Sequence, residues 1–552
     1  MATTTALDWR PFFPEAAPRP LQEEILDFLT AYYDEADAFL IEAPPGVGKS
    51  AIAIALAGWH YARSRQGPEP LNLRAARTYI TTTTVSLEDQ YMRSYRSGGL
   101  KQLHSASHFT CSRRNKEGAL LTCEEGRVLS NTSKRPCPGE IPCPYGVAKT
   151  EFAIAPYGIL NAAYLLTEAA YVGKLGRRGL LVADEGHTFS EAICNFLDFK
   201  LTPKHTRALN LDFPYIVEDD REMSVFLDWL KEKYKPRLDE RILDLQDEIE
   251  KRNVEGAEED PIFLSYVQEW QKTKGEERRL TAMLEEVNPQ TWVLERQSGK
   301  HGESISLTPI TPRGFSGSLL ARIADKIVLL SATIIDFDYH RDELEIDPER
   351  LGTFSAPSPF PKEHRPIYAI PRIQLDHRNL EASCTEAALL MIPILQSHAD
   401  QRGIVFTSSY AQAEIIRDKA NYLLGEDRLA THEGSNGKAF LLARHGLRPN
   451  SVIVSPSMHE GVDLKGDLSS FQIVTKLPFP SLGSKVVKRR REVIPAWYDY
   501  TTALKLIQAS GRSVRTEKDE AATYILDSAF EWFYARNRHL FPLYWQEAVS
   551  FL

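Results

Sequence analysis

Short, continuously apolar runs recur along this chain and are separated by longer mixed segments. Phe39–Ile41, Leu180–Ala183 and the stretch KIVLLSAT (326–333) are such runs, and they are typical of strands buried on both faces of a parallel sheet. The Ala-rich stretch that follows the first run, SAIAIALAGWHYA (50–62), strongly favours a helix. Strands and helices arranged in this way predict an α/β fold with mostly parallel sheets.

Two later strand-to-loop units predict a second α/β region. They are RGIVFTSSY (402–410) and SVIVSPSMHEGVDLKGD (451–467), in which apolar residues give way to small polar ones. With 552 residues the chain is also too long for one hydrophobic core. We therefore expect two α/β domains together with smaller units.

More than a hundred residues lie between the second and third apolar runs, which is too many for a loop. Apolar residues recur there in two stripes at helical spacing, with dense charge between them. The first stripe is Leu238, Ile242, Leu245 and Ile249, and the second is Leu280, Met283, Leu284 and Val287. This pattern predicts a helical insertion, an antiparallel hairpin or a small bundle, for which a protein-docking arm is one possible role.

Composition narrows the classes of protein that fit. The chain is 43% apolar and 26% charged, with a net charge of −9 from 75 acidic and 66 basic residues. This balance is not that of a general nucleic-acid binder, although a local basic groove is enough for binding. The sequence has no run of about 18 apolar residues and no basic-then-apolar N-terminal signal, so we expect no membrane partner and a cytoplasmic location.

The stretch APPGVGKS (43–50) lies between a predicted strand and a predicted helix, which is the setting of a phosphate-binding loop. Gly46 and Gly48 allow backbone amides to wrap around phosphate, and the helix N-terminus faces the negative charge. Lys49 is placed to reach the β- and γ-phosphates of ATP, and Ser50 to hold Mg²⁺. Ala43 stands where the strict pattern has its first glycine. A chance Gly-rich turn is the alternative, and it does not explain the Lys-Ser pair in register.

A second predicted strand ends in carboxylates, in the stretch LLVADEGH (180–187). Parallel sheets bind ligands at the carboxyl ends of their strands, which is where Asp184 and Glu185 emerge. Asp184 suits the shell of Mg²⁺, and Glu185 suits a base that orients water. His187, and Asp463 in the later HEGVD stretch, are assigned to the same nucleotide site.

Near the end of the chain, QASGRSVR (508–515) places Arg512 and Arg515 at positions i and i+3. On a helix these two guanidinium groups share a face, and they suit the stabilisation of charge on a transferring γ-phosphate. A solvated helix face is the alternative, but Gln508 and Gly511 at these spacings favour a catalytic role. The predicted catalytic residues are Lys49, Glu185, Gln508, Arg512 and Arg515.

Four of the six cysteines lie between the phosphate loop and the acidic stretch. Cys111, Cys123, Cys137 and Cys143 are separated by 11, 13 and 5 residues, without the C-x2-C pair that zinc ribbons usually have. The segment is polar and cannot form much core, and clustered cysteines in a reducing compartment favour metal ligands over disulfides. The residues predict a four-thiolate metal site and leave the metal open.

A basic run precedes aromatic residues in SKVVKRRREVIPAWYDY (484–500). Such cations can follow phosphates, and such rings can stack on bases of any sequence. The nucleic-acid candidates in this stretch are Lys485, Lys488, Arg489, Trp497 and Tyr498. A basic surface next to core aromatics is an equally good interpretation of each residue singly.

Taken in order, APPGVGKS, TTTTVSLEDQY, DEGH, LLSAT, VFTSS, HEGVDL and QASGRSVR resemble the motifs of superfamily 2 helicases. Over nearly the full chain the sequence resembles the XPD/DinG family of iron–sulfur DNA helicases, and RPLQ (19–22) resembles that family's adenine-reading motif. The box here is Asp-Glu-Gly-His where the family usually has Asp-Glu-Ala-His, and we expect little consequence from Gly186.

The resemblance implies two RecA-like motor domains, with ATP and Mg²⁺ between them, that move along single-stranded DNA in the 5′→3′ direction. It implies a [4Fe–4S] cluster on the four cysteines, and it identifies the insertion as an arch that encloses the strand together with the cluster domain. Adenine contacts are implied for Arg19 and Gln22, and backbone-phosphate contacts for Thr82, Thr83 and Ser408. The implied partners are single-stranded and forked DNA, with an RNA–DNA hybrid as a further substrate, and the protein is expected to be a monomer.

The predicted domain boundaries follow from these segments. The first motor domain is expected in three parts, residues 1–105, 151–200 and 313–345, and the second over residues 346–552. The iron–sulfur domain is expected over residues 106–150 and the arch over residues 201–312. The predicted function is an ATP-dependent DNA helicase. Two alternatives stay open: a single-strand translocase that remodels nucleoprotein or R-loops without unwinding, and a redox-sensing nucleic-acid-binding module with a vestigial ATPase.

Overall fold

The structure is a computed structural model. It describes residues 7–66, 73–95, 99–114, 120–123, 126, 143–169, 175–217, 221–252, 260–299, 302–432, 437–458, 466–514, 516 and 518–552. In chain order the strands are β1 (Ala38–Glu42), β2 (Thr78–Thr82), β3 (Leu100–Gln102), β4 (Thr110–Arg114), β5 (Leu120–Thr122), β6 (Tyr157–Asn161), β7 (Arg178–Asp184), β8 (Phe199–Leu201), β9 (Trp292–Gly299), β10 (Gly302–Pro309), β11 (Ala324–Ser331), β12 (Leu351–Ser355), β13 (Ile367–Ile373), β14 (Gly403–Phe406), β15 (Leu429–Ala430), β16 (Val452–Ser455), β17 (Phe471–Val474), β18 (Ala522–Asp527) and β19 (Val549–Phe551).

The α-helices alternate with these strands. They are α1 (Pro20–Ala31), α2 (Lys49–Arg63), α3 (Val85–Tyr95), α4 (Pro144–Ile154), α5 (Ala162–Thr167), α6 (Phe189–Leu197), α7 (Pro203–Ala208), α8 (Glu222–Trp229), α9 (Lys235–Arg252), α10 (Pro261–Glu286), α11 (Ser316–Ile323), α12 (Phe337–Glu343), α13 (Leu380–Ser397), α14 (Tyr410–Leu424), α15 (Lys438–Leu447), α16 (Lys485–Val493), α17 (Pro495–Ser510), α18 (Ala529–Asn537) and α19 (Leu543–Gln546). Among the helices that the structure describes, none is both long and apolar enough to cross a bilayer.

Seven strands form an all-parallel sheet in the order β12-β1-β11-β7-β2-β6-β3. Both faces of this sheet are covered, so successive residues of one strand enter two different cores. In β1, Leu40 packs into one core while Phe39 and Ile41 pack into the other, and all three are fully buried. Burial on both faces explains why the strand sequences are continuously apolar.

A second all-parallel sheet of seven strands has the order β15-β16-β14-β17-β18-β13-β19. The predicted strand-to-loop units supply β14 and β16, which lie side by side in it. The expectation of two α/β domains with parallel sheets is therefore confirmed. The first sheet continues past residue 345, where the sequence analysis places a domain boundary, because β12 (Leu351–Ser355) pairs with β1.

The segment between β7 and β11 contains a helical hairpin. Lys235 pairs with Glu277 at 3.2 Å and Arg241 with Glu269 at 2.8 Å. The residue numbers rise along α9 while those of their partners fall along α10, so the two helices are antiparallel. The segment also contains a three-stranded antiparallel sheet in the order β8-β10-β9, which the purely helical interpretation missed.

The cysteine segment contacts the far end of this hairpin. Cys111 and Leu121, from the β4–β5 pair, pack in one apolar cluster with Ile249 of α9 and with Phe263 and Val267 of α10. Both units are also covalently connected to the first α/β domain. The cysteine segment and the hairpin therefore contact each other and are each joined to that domain by the chain.

Candidate nucleotide-binding cleft

A cleft of about 1140 Å³ lies between the two parallel sheets. Its walls include Lys49 and Asp184 from the first domain and Gln508 and Arg512 from the second. The first-domain residues follow the carboxyl ends of β1 and β7, where parallel sheets bind ligands. Four of the sequence-predicted nucleotide residues, two from each domain, thus line one space.

The phosphate loop takes the conformation that its glycines permit. Gly46 and Gly48 have φ angles of 84° and 89°, in the left-handed region that glycine adopts without strain. α2 begins at Lys49, so the helix N-terminus points into the cleft. The Lys49 ammonium donates to the carbonyl oxygen of Ala43 at 3.3 Å, and so it is held across the loop that would surround phosphate.

Arg19 and Gln22 support this loop from behind. Gln22 is fully buried, and its side-chain oxygen accepts the Arg19 amide at 2.8 Å. The Gln22 amide group donates to the carbonyl of Gly48 at 3.4 Å, and the Arg19 guanidinium donates to the carbonyl of Gly46. Both predicted adenine-contacting side chains therefore hold the phosphate loop, while an adenine contact stays a prediction.

Asp184 ends β7 with both carboxylate oxygens engaged. Oδ1 accepts the backbone N–H of Glu185 at 3.0 Å, and Oδ2 accepts the phenol of Tyr91 at 2.8 Å. Burial, and then the charge of Glu185, raise the pKa of Asp184, while Lys49 acts against that rise. The oxygen groups of Ser50 and Asp184 line the same cleft and are the hard ligands that Mg²⁺ prefers, so the residues present fit this ion.

Glu185 and Gly186 form a tight turn after β7. Glu185 has a φ of 56°, which is uncommon for a residue with a side chain. A Cβ at Gly186 would lie 2.6 Å from the Cβ and 3.0 Å from the Cα of Leu329 in β11. Alanine does not fit here unless the strand shifts, so the packing of this chain requires glycine at position 186. The expectation that Gly186 has little consequence for function stays a prediction.

A hydrogen-bonded chain crosses the cleft. The Gln508 amide group donates to His187 Nε2 at 2.8 Å, which leaves His187 Nδ1–H to donate to Ser331 Oγ at 2.7 Å. The same Gln508 nitrogen lies 3.4 Å from Thr333 Oγ1. The acidic box and the LLSAT loop of the first domain are therefore joined to α17 of the second.

The end of α17 approaches the phosphate loop. A Cβ at Gly511 would lie 3.7 Å from Pro45 Cγ, an ordinary contact distance across the two domains. Arg512 follows and lines the cleft. Arg515 and Asp463 lie outside the described residues.

Glu42 holds the loop after β11, which includes Thr333 of the cleft wall, and the sequence analysis did not predict it. It is buried at the end of β1, where its Oε1 accepts the N–H groups of Ile334 and Ile335 at 3.2 Å each and its Oε2 accepts the Ser355 hydroxyl at 2.8 Å. Ile335 has a φ of 43°, an outlier for a β-branched residue. Glu42 therefore shapes the loop after β11 that borders the second domain. The sequence signal that could have identified it is a charged residue at the end of an otherwise apolar strand.

The hydroxyl candidates for nucleic-acid contact lie in different settings. Thr82 is buried and its hydroxyl donates to the carbonyl of Thr84 at 3.0 Å. Thr83 is exposed and lines the cleft. Ser408 is exposed in the second domain, with its hydroxyl bonded to Gln412 at 2.7 Å. Their contacts to nucleic acid stay predictions.

The predicted basic run forms α16, which contacts both the insertion and the first domain. The Lys485 amide donates to Glu295 at 2.8 Å and Arg489 to the carbonyl of Gln290 at 3.3 Å, both in the insertion. Arg490 is buried 3.6 Å from Glu343 of the first domain.

The neighbouring candidates divide between solvent and protein contacts. Lys488 is exposed. Trp497 lies under the Arg490 guanidinium at 4.5 Å, and the Tyr498 phenol donates to the carbonyl of Pro480 at 3.1 Å. These contacts give α16 and the start of α17 a structural role within the chain, and a role in binding nucleic acid stays a prediction.

Three of the four clustered cysteines lie near one another, and Cys137 is outside the described residues. Cys123 Sγ and Cys143 Sγ are 3.8 Å apart, and burial followed by Cys143 raises the pKa of Cys123 to about 12, with a smaller effect from Cys111. Cys143 also caps α4 by accepting the N–H of Gly146 at 3.4 Å. Within the described ranges, no group of three or more side chains is already arranged as a metal site.

Comparison with known proteins agrees with this geometry. The family model of the helicase C-terminal domain matches residues 392–548, in the second domain. The chain is 26% identical over 212 residues to the ATP-dependent DNA helicase YoaA of Escherichia coli, which covers 38% of this chain and 32% of YoaA. It is 25% identical over 258 residues to the ATP-dependent DNA helicase DinG of Photobacterium profundum, which covers 43% of this chain and 36% of DinG. These matches span about a third of either relative's length.

The fold is similar to that of a solved XPD helicase, with a TM-score of 0.58 and 13% identity over 98% of this chain and 100% of that one. At such identity the likeness concerns the fold, which is the pair of RecA-like domains of XPD-type helicases. The resemblance of this sequence to the XPD/DinG family is confirmed, and so are the two RecA-like domains.

Proposed function

We propose that this chain is an ATP-dependent helicase of the XPD/DinG type that moves along single-stranded DNA. The observation that carries the proposal is the cleft, in which Lys49 of the first domain and Arg512 of the second line one space. The His187–Gln508 bond across it supports coupling between nucleotide state and domain position. YoaA and DinG, both named ATP-dependent DNA helicases, support the class of enzyme.

The chain's own residues account for the chemistry. Lys49 exchanges the carbonyl of Ala43 for the β- and γ-phosphate oxygens. Mg²⁺, when bound by Ser50 and Asp184, neutralises charge on those oxygens. Glu185 orients the attacking water, and Arg512 stabilises the charge that develops on the γ-phosphoryl group.

Cleft closure would drive the movement. Charge on the γ-phosphate is satisfied only when both domains reach it, so ATP binding draws the domains together and hydrolysis releases them. Gln508 would take part in this switch, because its amide nitrogen bonds to His187 across the cleft. Alternating grip during closing and opening gives translocation, for which the family resemblance favours the 5′→3′ direction.

The strand would pass between the first motor domain and the insertion. The cleft continues away from the phosphate loop along Thr83, Asn161 and Phe196 to Arg279 of α10. The hairpin end is in contact with the cysteine segment, which supports an enclosed path. A rigid cysteine domain at its entrance would split forked DNA or an RNA–DNA hybrid.

The cysteine segment is proposed to hold a [4Fe–4S] cluster through Cys111, Cys123, Cys137 and Cys143. The short distance between the Cys123 and Cys143 sulfurs is compatible with two ligands of one metal centre, and the family resemblance favours iron–sulfur. A tetrahedral zinc ion with Zn–S bonds of about 2.3 Å would hold sulfurs roughly 3.8 Å apart, so the Cys123–Cys143 spacing of 3.8 Å also admits a single ion. Metal bound here would stabilise a polar segment that has little core of its own.

Metal analysis and an absorption spectrum of protein purified without oxygen decide this point. We expect a brown protein with about four irons per chain. The iron content should be lost in Cys123→Ser and kept in Cys384→Ser, because Cys384 is buried in the second domain. A colourless protein with one zinc per chain would contradict the iron–sulfur cluster and leave the motor intact.

Strand displacement tests the helicase itself. A forked duplex with a 5′ single-stranded tail is offered with ATP to wild-type protein and to Arg512→Ala, with a 3′-tailed duplex as the polarity control. We expect displacement on the 5′-tailed fork by the wild type and a loss of about 10³-fold in the variant, the scale of an arginine acting on a γ-phosphate. DNA-stimulated ATP turnover without displacement would instead support a translocase, and the absence of both would overturn the proposal.

A further inference from the structure

Tyr91 lies beneath the nucleotide cleft in α3 and is almost completely buried. A buried tyrosine normally finds a hydrogen-bond partner for its hydroxyl. Here the phenol donates to Asp184 Oδ2 at 2.8 Å. It is therefore attached to the carboxylate that the proposed function assigns to Mg²⁺.

Ser50, the other proposed Mg²⁺ ligand, lines the same cleft as Tyr91 and Asp184. Burial and then Asp184 raise the pKa of the Tyr91 phenol, and the neighbouring Ser50 acts against that rise. Ser50 is at the start of α2 and Asp184 at the end of β7, so the two come from distant parts of the sequence. The phenol that bonds to Asp184 therefore lies beside Ser50.

The remaining freedom of Asp184 is small. Its Oδ1 is fixed by the N–H of Glu185 at 3.0 Å, so Tyr91 at Oδ2 completes the orientation of the carboxylate. Mg²⁺ requires near-octahedral geometry with oxygens at about 2.0–2.1 Å, and it tolerates misplaced ligands poorly. Removing the phenol would let the carboxylate turn and would widen the range of Ser50–Asp184 separations.

We propose that Tyr91 is a positioning residue that holds Asp184, beside Ser50, in the orientation that Mg²⁺ requires when it enters with a nucleotide. The inference rests on the proposed function, because it assumes that the cleft binds a Mg²⁺–nucleotide complex. Tyr91 itself touches neither ion nor nucleotide in this assignment and acts through Asp184. Residues in this supporting position typically change metal affinity by about 10–100-fold when they are replaced.

Tyr95 provides a matched control in the same helix. Its ring is 6.1 Å from that of Tyr91, but its phenol donates to Glu15 at 3.3 Å on the exposed side. Tyr95→Phe removes the same atom from the next turn of α3 without removing a bond to Asp184. The two Tyr→Phe variants therefore differ in the partner lost and not in the chemical change.

The experiment measures ADP affinity by titration calorimetry, once with excess Mg²⁺ and once with EDTA, for wild type, Tyr91→Phe and Tyr95→Phe. We expect Tyr91→Phe to bind ADP about 10–100-fold more weakly than wild type in Mg²⁺ and equally well in EDTA. Tyr95→Phe should match wild type in both conditions. An equal loss with and without Mg²⁺ would overturn the inference, because Tyr91 would then support the loop and not the metal ligands.

A second comparison keeps the test decisive if Tyr91→Phe folds poorly by circular dichroism. In Asp184→Asn the Mg²⁺-dependent gain in ADP affinity should already be lost, and Tyr91→Trp, which keeps a large ring but places no phenol there, should lose the same gain. A Tyr91→Trp protein that keeps the full Mg²⁺-dependent gain would contradict the positioning role. If the wild type binds no ADP in either condition, the nucleotide function fails, which is a different outcome from a failure of the Tyr91 inference.

Discussion

Replacing Gly186 by alanine restores the residue that related helicases usually carry, and the structure predicts that it harms this protein. The new Cβ would lie 2.6 Å from Leu329 Cβ, 3.0 Å from Leu329 Cα and 3.2 Å from the Leu329 carbonyl carbon. Two of these atoms are backbone, and β11 pairs with β1 on one side and β7 on the other, so the strand has little room to retreat. Overpacking of this kind costs about 1–3 kcal/mol.

Gly275→Ala is the matched control with the opposite expected sign. Gly275 lies inside α10, and in the described part of the chain no heavy atom outside its own helix turn is within 4 Å of the Cβ position. Alanine there reduces the freedom of the unfolded chain and should stabilise the protein by about 0.4–1 kcal/mol. The same methyl group is therefore predicted to act in opposite directions at two positions.

Thermal unfolding followed by intrinsic fluorescence measures both effects. One kcal/mol corresponds to a shift of about 2–4 °C in the unfolding midpoint for domains of this size. Gly186→Ala should therefore lower the midpoint of the domain that contains it by roughly 2–12 °C. Gly275→Ala should raise the midpoint of the unit that contains α10 by about 1–4 °C. ATP turnover should fall in Gly186→Ala, because Glu185 and His187 flank the displaced residue. A Gly186→Ala protein with wild-type midpoint and wild-type turnover would refute the packing argument.

Two further predictions concern buried charge. Arg490→Met removes a cation 3.6 Å from buried Glu343, which keeps its bond from Arg313 at 2.9 Å. Urea unfolding should therefore show a loss of about 1–3 kcal/mol in the free energy of unfolding. The control Arg491→Met, at an exposed neighbouring position, should change that free energy by less than about 0.5 kcal/mol. Burial raises the pKa of Glu88 from 4.5 to about 7, so the protonated carboxyl contributes stability below pH 4.5 that is lost as pH rises through 7. Glu88→Gln should flatten the fall in unfolding free energy across that interval, and an unchanged slope would contradict the assignment.

Local sequence pattern is enough to predict the strands and the loops at which the proposed nucleotide site lies. Phe39–Ile41 and Leu180–Ala183 are apolar at every position because both faces of the first sheet are covered. The phosphate loop and the Asp184–Glu185 pair follow those strands directly, so their place in the cleft is set by the parallel topology. The residues of these two loops could therefore be predicted without knowledge of any long-range contact.

Residues that act through distant partners could not be predicted in this way. Nothing in the sequence around Tyr91 distinguishes it from any other buried helix residue. Its role depends on a bond to Asp184, which lies 93 residues away in the sequence. Arg490 belongs to a basic run, yet it is the member that is buried against the first domain, because α16 crosses the junction there. The antiparallel strands β9 and β10 lie in a segment whose charged helical stripes dominate the pattern.

ATP hydrolysis in the presence and absence of single-stranded DNA tests the central claim most directly, because the claim is that Lys49 and Arg512 meet one nucleotide in the cleft. Wild-type protein should hydrolyse ATP faster with DNA, Lys49→Ala should lose turnover with its fold intact, and Lys204→Ala, at an exposed site on α7, should behave as wild type. Turnover in Lys49→Ala at the wild-type rate, or a wild type that hydrolyses no ATP with DNA present, would contradict the account.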